Sequence, residues 1–229
     1  MINANIERVY EQIESACAAC GRSSKEIKLM AVSKFQPIES IAQAYSAGLR
    51  LFGESRVQET AEKLSGRGNF PQMELHMIGA LQRNKVKDAF RLFDCVQSVD
   101  RNELIESLAK HAAAAAAKPL DILLELNAGE ESKTGYPDVD ALFGAVDAVL
   151  AAPGLRLRGL MTMAPFVNEE KPIRRAFRSL KTAADKLSAR YPQADFSVLS
   201  MGMSGDFRIA IEEGSTMLRI GTAIFGERT

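Results

Sequence analysis

The residue with the clearest potential for chemistry is Lys34, which ends the apolar stretch 28–34 shortly before Pro37. Lysine is rarely buried without a partner, and burial lowers its pKa from about 10.4 towards neutrality. A neutral amine is a nucleophile that can form an imine with a carbonyl group. Taken alone, the stretch favours a second interpretation, in which Lys34 only marks the point where a strand meets solvent.

Two further segments combine glycines with hydroxyl residues directly after apolar stretches. They are Ser200-Met-Gly-Met-Ser204 and Arg219-Ile-Gly-Thr222. Glycine and hydroxyl residues beside short helix starts expose backbone N–H groups that can converge on an anion, which is how barrel proteins hold a phosphate. The alternative is that Gly202 and Gly221 only form tight turns.

These segments lie within a regular alternation of apolar strands and amphipathic helices. An apolar face of period 3.6 over 2–20 predicts a helix before the first strand, and Gly21 is placed to end it. Helices are then predicted after Pro37, over 57–64 and 81–90, from Asp100 through the alanine run 112–117, after Pro137 to 150, over 170–190, and after Ser204. The predicted strands cover 28–34, 49–52, 75–79, 93–98, 120–127, 155–163, 196–200 and 217–220.

Eight alternating units predict parallel strands joined by right-handed crossovers. In one compact chain they predict a single closed (β/α)8 barrel of the TIM type, with the extra N-terminal helix completing the outer ring. We therefore expect one domain over 1–229. The alternative is an open doubly wound sheet, but no Gly-x-Gly-x-x-Gly follows the first strand, so dinucleotide binding is unsupported.

The barrel would bring the chemical residues together at the C-terminal ends of its strands. Lys34 would share a strand face with Met30 and Val32, as Arg219 would with Met217, because residues two apart point the same way. Strands eight and one are neighbours in a closed barrel. Lys34, Arg219 and the glycine loops should therefore surround one small pocket.

An imine-forming lysine, a phosphate site and a fixed cation together describe a binding site for pyridoxal 5′-phosphate (PLP), an aldehyde with a phosphate and a ring nitrogen. Several segments, in order, resemble the pyridoxal phosphate homeostasis protein family, whose members are single-domain relatives of the alanine racemase barrel. They are Ala31-Val-Ser-Lys34-Phe-Gln-Pro37, Phe52-Gly-Glu-Ser-Arg-Val-Gln-Glu59, His76-Met-Ile-Gly-Ala-Leu-Gln-Arg-Asn-Lys85, Gly159-Leu-Met-Thr-Met-Ala-Pro165, Leu199-Ser-Met-Gly-Met-Ser204 and Arg219-Ile-Gly-Thr-Ala-Ile-Phe-Gly226.

The resemblance implies a role for each residue of the predicted site. Lys34 would form the imine with PLP, and Arg219 would face the pyridine nitrogen. The phosphate would be surrounded by residues of the two late segments, which are Ser200, Met201, Gly202, Ser204, Gly221 and Thr222. One position departs from the family, since Ser55 stands where the family usually has asparagine.

The same resemblance bears on whether the protein is an enzyme. An arginine that keeps its proton leaves the pyridine nitrogen unprotonated and weakens the ring as an electron sink. Alanine racemase adds a tyrosine base from a second domain, whereas this chain ends at Thr229, and only Tyr136 follows a strand-end loop. We therefore expect a protein that buffers or delivers PLP without robust catalysis and has no catalytic residue of its own.

Two other functions stay open. The first is a slow PLP-dependent racemase or lyase acting on an amino acid, with His76 or Lys133 as the base. The second is a barrel enzyme acting on a phosphorylated sugar, in which Lys34 would form an imine with the substrate.

The composition indicates which classes of binding partner the protein has. Lys plus Arg and Asp plus Glu number 29 each, so there is no global charge to attract nucleic acid or an anionic membrane, and no apolar run approaches the length of a membrane span. Cys17, Cys20 and Cys95 are interpreted as small core residues of a protein of the reducing cytoplasm. No carboxylates or histidines have the spacing of metal ligands. We expect a monomer that binds small molecules.

Overall fold

Eight parallel strands form a closed barrel in sequence order, with β8 paired to β1. The computed structural model describes residues 1–64, 67–115, 119–128 and 134–227. The strands are β1 Lys28–Val32, β2 Leu51–Glu54, β3 Glu74–Met77, β4 Cys95–Val99, β5 Leu120–Glu125, β6 Leu155–Met161, β7 Val198–Ser200 and β8 Met217–Ile220. The prediction of a (β/α)8 barrel is confirmed.

Helices surround the barrel. They are α1 Ile2–Ala19, α2 Ile38–Ser46, α3 Val57–Leu64, α4 Val86–Leu92, α5 Asn102–Ala115, α6 Val139–Leu150, α7 Glu170–Arg190, α8 Phe207–Glu212 and α9 Thr222–Phe225. The predicted extra N-terminal helix is present as α1. It buries Ile6, Val9 and Ile13 and packs against α2, α8 and α9, so it covers the barrel where β8 meets β1.

Strand alternation separates the core into two layers. Leu29, Ala31 and Phe52 belong to the large cluster between barrel and helices, whereas Met30 and Leu51 pack inside the barrel. The other residues of the interior clusters are Cys95, Leu123, Met161 and Met217. This alternation decides which polar side chains of the same strands face the barrel axis.

The first two strands end at different residues than predicted. β1 ends at Val32 because the Gln36 amide donates to the Ser33 carbonyl (3.0 Å) and the chain turns before Pro37. β2 begins at Leu51 and continues to Glu54, whose side chain is fully buried. The predicted strand stopped at Phe52, before Glu54, because a charged residue is rarely buried in a strand without partners. The partners of Glu54 are brought together only by the fold.

Other boundaries move by a few residues. The helix predicted over 81–90 is a 3-10 turn at Arg83–Lys85 followed by α4, and α9 was not predicted because it has only four residues. The helix through the alanine run is confirmed to Ala115, and 116–118 lie outside the described residues.

The cysteines do not all behave as predicted. Cys17 and Cys95 are buried, but Cys20 is exposed, so the interpretation of Cys20 as a core residue is wrong. It lies at the C-terminal cap of α1, beyond the last residue of the apolar face that packs on the barrel.

Candidate functional site

The ends of β1, β7 and β8 open on the same rim of the barrel. Met30 pairs with Arg219 across the β1/β8 ladder. A Cβ atom placed on Gly221 would lie 3.5 Å from the Cβ atom of Val32, so the two strand ends are in direct contact. Lys34 follows Val32 by two residues and is half-buried in the turn after β1. The structure therefore places Lys34 on the rim that also carries the loops after β7 and β8.

Arg219 lies inside the barrel at this rim and is 4% exposed. Its Nη1 donates to the carbonyl oxygen of Ser200 (2.6 Å) and to Ser200 Oγ (2.8 Å). Its Nη2 donates to the carbonyl oxygen of Thr162 (2.8 Å). These contacts fix the plane of the guanidinium from two neighbouring strand ends.

The charge of Arg219 has no direct counter-ion among the described residues. Arginine has five N–H donors, and three of them are used in these bonds. Within the described ranges no carboxylate forms an ion pair with it. Burial lowers the pKa of Arg219 to about 10, although the charges of Asp206 and Glu125 act in the opposite direction. The side chain remains a cation at neutral pH, and a buried cation with unused donors is a common feature of binding sites.

A line of hydrogen bonds continues from Arg219 across the barrel. Ser200 Oγ donates to Gln97 Oε1 (2.7 Å), Gln97 Nε2 contacts His76 Nδ1 (2.7 Å), and His76 Nε2 contacts Glu74 Oε1 (2.8 Å). We call Arg219, Ser200, Gln97, His76 and Glu74 the interior chain. One proton arrangement satisfies all of it: Gln97 donates to His76 Nδ1, and His76 carries its proton on Nε2 and donates to Glu74.

Two residues predicted to surround a phosphate are used elsewhere. The Ser200 hydroxyl belongs to the interior chain and is fully buried. Met201 is buried among the helices, and its amide donates to the Met217 carbonyl oxygen (3.1 Å). In this arrangement both residues build the barrel beneath the rim, so a contact between either one and a ligand stays a prediction.

The other predicted residues form the rim itself. Gly202 has φ +99°, and a Cβ there would lie 2.6 Å from the Cβ of Ala210, so the turn after β7 requires glycine. Ser204 Oγ accepts from the Ala223 amide (3.3 Å), which joins the β7 loop to the start of α9. Gly221 precedes that helix, and Thr222 is exposed as its first residue.

Two residues that could move a proton in an enzyme are held by hydrogen bonds. His76 is buried in the interior chain, and Tyr136 is buried with its hydroxyl donating to Asn102 Oδ1 (2.9 Å). Burial raises the pKa of Tyr136 well above its usual range, and the charges of Asp100 and Glu103 add to the effect. Lys133 lies outside the described residues. Ser55 is half-buried after β2 and packs closely against Gly79.

Sequence reasoning missed two interior residues. Gln97 lies in the apolar strand β4, and Glu125 ends β5, where its carboxylate accepts from Thr134 Oγ1 (3.1 Å). Both are buried. A polar side chain that interrupts an apolar strand was the available signal, but its orientation towards the axis depends on the register, which is irregular between β4 and β5.

Two classes of site find no support in the described part of the chain. None of its histidines, cysteines and carboxylates cluster in a way that would hold a metal ion. Likewise, no helix over residues 1–64, 67–115, 119–128 and 134–227 combines the length and apolar character that crossing a bilayer requires.

Comparisons with known proteins identify the family of the chain. The sequence pattern of the alanine racemase N-terminal domain family matches residues 5–229. A pyridoxal phosphate homeostasis protein of Vibrio cholerae is 42% identical over 231 residues, which cover 99% of this chain and 96% of that protein. The protein of the same name from Escherichia coli K12 is 39% identical and covers 98% and 95% of the two chains.

Solved structures extend the comparison. PipY of Synechococcus elongatus, whose structure was determined with PLP bound, is 31% identical with a TM-score of 0.86, over 99% of this chain and all of PipY. An alanine racemase of Clostridium difficile is 12% identical with a TM-score of 0.77, and this chain covers 56% of it, so that likeness concerns the fold alone. The chain belongs to the pyridoxal phosphate homeostasis protein family and carries the alanine racemase N-terminal domain.

Proposed function

We propose that this protein binds PLP at the rim formed by β1, β7 and β8 and acts in the homeostasis of the cofactor by buffering or delivering it. The proposal is supported by the names of the relatives and by the PLP bound to PipY. The observation that carries it is Arg219, a buried cation with two unused N–H groups and no ion pair in the described ranges.

The residues of the rim fit the three parts of PLP. Lys34 would supply the amine that attaches covalently to the aldehyde carbon. Arg219 would donate to the pyridine nitrogen, which is an acceptor when unprotonated. Gly202, Ser204, Gly221 and Thr222 would hold the phosphate through backbone amides and hydroxyl groups of the two loops. Ser200 and Met201 would support these loops and Arg219 from beneath.

The absence of robust turnover is part of the proposal. Bound PLP supplies a carbonyl for amines and a ring that withdraws electrons. Arg219 keeps its proton, so it would donate a hydrogen bond to the ring nitrogen without charging it, and electron withdrawal would stay weak. Tyr136 and His76 are each held by hydrogen bonds to other side chains, and we therefore expect neither to move a proton at the rim.

The remaining expectations form part of the same proposal. We propose a monomer that works inside the cell on small molecules, PLP and amino acids that compete for it, and does not bind nucleic acid. The balanced charge of 29 basic and 29 acidic residues supports this choice of partners. Sedimentation of the purified protein measures its molar mass and so tests whether it is a monomer.

Absorption spectroscopy tests the proposal. Purified protein incubated with PLP and desalted should be yellow, with a visible band that is lost in Lys34→Ala and kept in Lys181→Ala, which changes an exposed lysine of α7. The loaded protein should restore an apo-enzyme that requires PLP and should not racemise or decarboxylate amino acids at enzyme-like rates. A band that persists in Lys34→Ala, or rapid turnover, contradicts the proposal.

A further inference from the structure

Three charged side chains surround the turn that carries Lys34, on the side facing the helices. Lys63 of α3 donates to Glu54 Oε1 (2.9 Å) and to Glu59 Oε1 (2.8 Å). Glu54 is fully buried at the end of β2, and it also accepts from the Ser33 hydroxyl (2.7 Å). We call Glu54, Glu59 and Lys63 the outer clamp.

The outer clamp holds the backbone on both sides of Lys34. The Lys63 amine lies 3.1 Å from the Ser33 carbonyl oxygen and 3.4 Å from that of Gln36. Glu59 Oε1 accepts from the amide of Phe35 (2.6 Å). The residues before and after Lys34 are thus bound to the same three side chains, while the Lys34 side chain is not part of these bonds.

Phe35 shows why the turn needs this support. Its φ is +63°, in the left-handed region that costs a residue with a side chain about 1–2 kcal/mol. Its ring is 47% exposed, with the Arg56 guanidinium 5.0 Å from the ring centroid, so little apolar burial offsets the cost. Strain of this kind persists only where the surroundings impose it, and here the bond from the Phe35 amide to Glu59 does so.

The outer clamp also sets a direction. Glu54 lies on the same strand face as Phe52, which packs towards the helices, and the Ser33 hydroxyl points to it. If the alternation of β1 continues beyond its last residue, Val32, the residue after Ser33 leaves the chain towards the opposite side, where the barrel axis and Arg219 lie. Holding Ser33 outward would then turn Lys34 inward.

We propose that Glu54, Glu59 and Lys63 are positioning residues that orient the Lys34 amine towards the rim. The importance of that orientation rests on the proposed function, in which the amine attaches to PLP, but the geometry of the outer clamp does not depend on the cofactor. Placing one fully buried and one half-buried carboxylate around one amine is a costly way to close a surface turn, since apolar side chains of similar volume would serve stability as well or better.

A pair of substitutions at Glu59 isolates the contact. Glu59→Gln and Glu59→Leu both remove the charge, but only Gln keeps an oxygen that can accept from the Phe35 amide. The readout in ligand-free protein is competitive acetylation by a trace of acetic anhydride across a pH series, with the Lys34 peptide quantified by mass spectrometry against the exposed Lys87. This reports the reactivity and titration of one amine without any cofactor.

Glu59→Leu should change the relative acetylation of Lys34 about fivefold, the factor that one lost hydrogen bond of about 1 kcal/mol gives, while Glu59→Gln stays within about twofold of wild type. The visible band on mixing with PLP should rise more slowly in Glu59→Leu by a similar factor. If Glu59→Leu does not fold, Lys63→Met and Lys63→Arg make the same comparison, with Arg keeping the donor.

Equal acetylation of Lys34 in the two folded Glu59 variants overturns the inference. The result is separable from the proposed function. A wild-type protein that forms no visible band with PLP contradicts that function, whereas the acetylation profile of Lys34 still decides whether the outer clamp positions the amine.

Discussion

The outer clamp holds the turn of Lys34 and the interior chain holds Arg219, at the same rim of the barrel. The two groups differ in how their charges are arranged. In the outer clamp, charged groups are in direct contact, and Glu54 Oε2 and Glu59 Oε2 are buried without a hydrogen-bond partner in the described ranges. In the interior chain, Arg219 and Glu74 carry the charges at the two ends, and neutral groups link them. The outer clamp restrains the backbone turn that carries Lys34, whereas the interior chain orients the side chain of Arg219.

This difference follows from what each residue must do. A turn with a left-handed residue is restrained through its carbonyl and amide groups, which an ammonium and a carboxylate bind strongly. A guanidinium that must keep donors available needs acceptors of low charge, because a direct carboxylate would occupy its donors and neutralise it. Among the described residues, the ion pairs of the outer clamp thus lie outside the barrel, and Arg219 lies inside it without a direct carboxylate partner.

The largest expected effect is on the stability of the outer clamp. Lys63→Met leaves Glu54 buried without its counter-ion, so the free energy of unfolding should fall by about 3 kcal/mol, as measured by urea denaturation. Lys181→Met, which breaks an exposed ion pair with Asp185, should cost less than about 1 kcal/mol. The double variant Glu54→Leu/Lys63→Met should recover most of the loss. Similar losses for the two lysine variants would mean that the clamp is no stronger than a surface pair.

A smaller effect is expected in the interior chain. Gln97→Leu keeps the volume but removes the acceptor of the Ser200 hydroxyl proton and the donor to His76 Nδ1, which should cost about 2 kcal/mol of unfolding free energy. As a control, Leu123→Met changes an apolar residue inside the barrel that is not part of the interior chain. It should cost less than about 1.5 kcal/mol of unfolding free energy. A Gln97→Leu protein as stable as wild type would contradict the idea that these neutral groups form one connected line.

The smallest effect is on the pH dependence of stability. Burial raises the pKa of Glu54, and the charge of Lys63 and the bond from Ser33 oppose this only in part. The folded protein then binds a proton more tightly than the unfolded chain does. The resulting stabilisation is complete below the ordinary glutamate pKa of about 4.3 and is lost as pH rises through the raised value.

Glu54→Gln cannot titrate, so its stability should fall less than that of wild type over this interval. Burial alone would raise the pKa of Glu59, but hydrogen bonds from Lys63 and the Phe35 amide lower it, so its contribution is lost at pH values below this interval. Urea unfolding at pH values between about 4 and 8 measures the difference. Parallel profiles for wild type and Glu54→Gln would show that Glu54 titrates normally.

The sequence predicted the parts of the fold that periodicity controls. Eight apolar stretches alternating with amphipathic helices specified the barrel, and the C-terminal ends of its strands specified the rim with Lys34, Gly202 and Gly221. The resemblance to a known family added the cofactor and the role of Arg219. These features depend on local pattern and on a closure rule that applies to all such barrels.

The supporting contacts could not be predicted in the same way. Glu54, Gln97 and Glu125 are polar residues at strand positions that a hydropathy pattern treats as interruptions, and their partners lie in other segments of the fold. The left-handed conformation of Phe35 has no sequence signal, because glycine is the usual residue there. Both kinds of feature come from the register between strands and from the packing of α3 on β2.

The attachment site of the cofactor is the most direct test of PLP binding at the rim. Wild-type protein loaded with PLP should be reduced with borohydride, digested and mapped by mass spectrometry. We predict one modified residue at low PLP excess, Lys34, and no modification at Lys63, whose amine is bound within the outer clamp. Modification of a different lysine with Lys34 left free would contradict the claim that the barrel rim is the binding site.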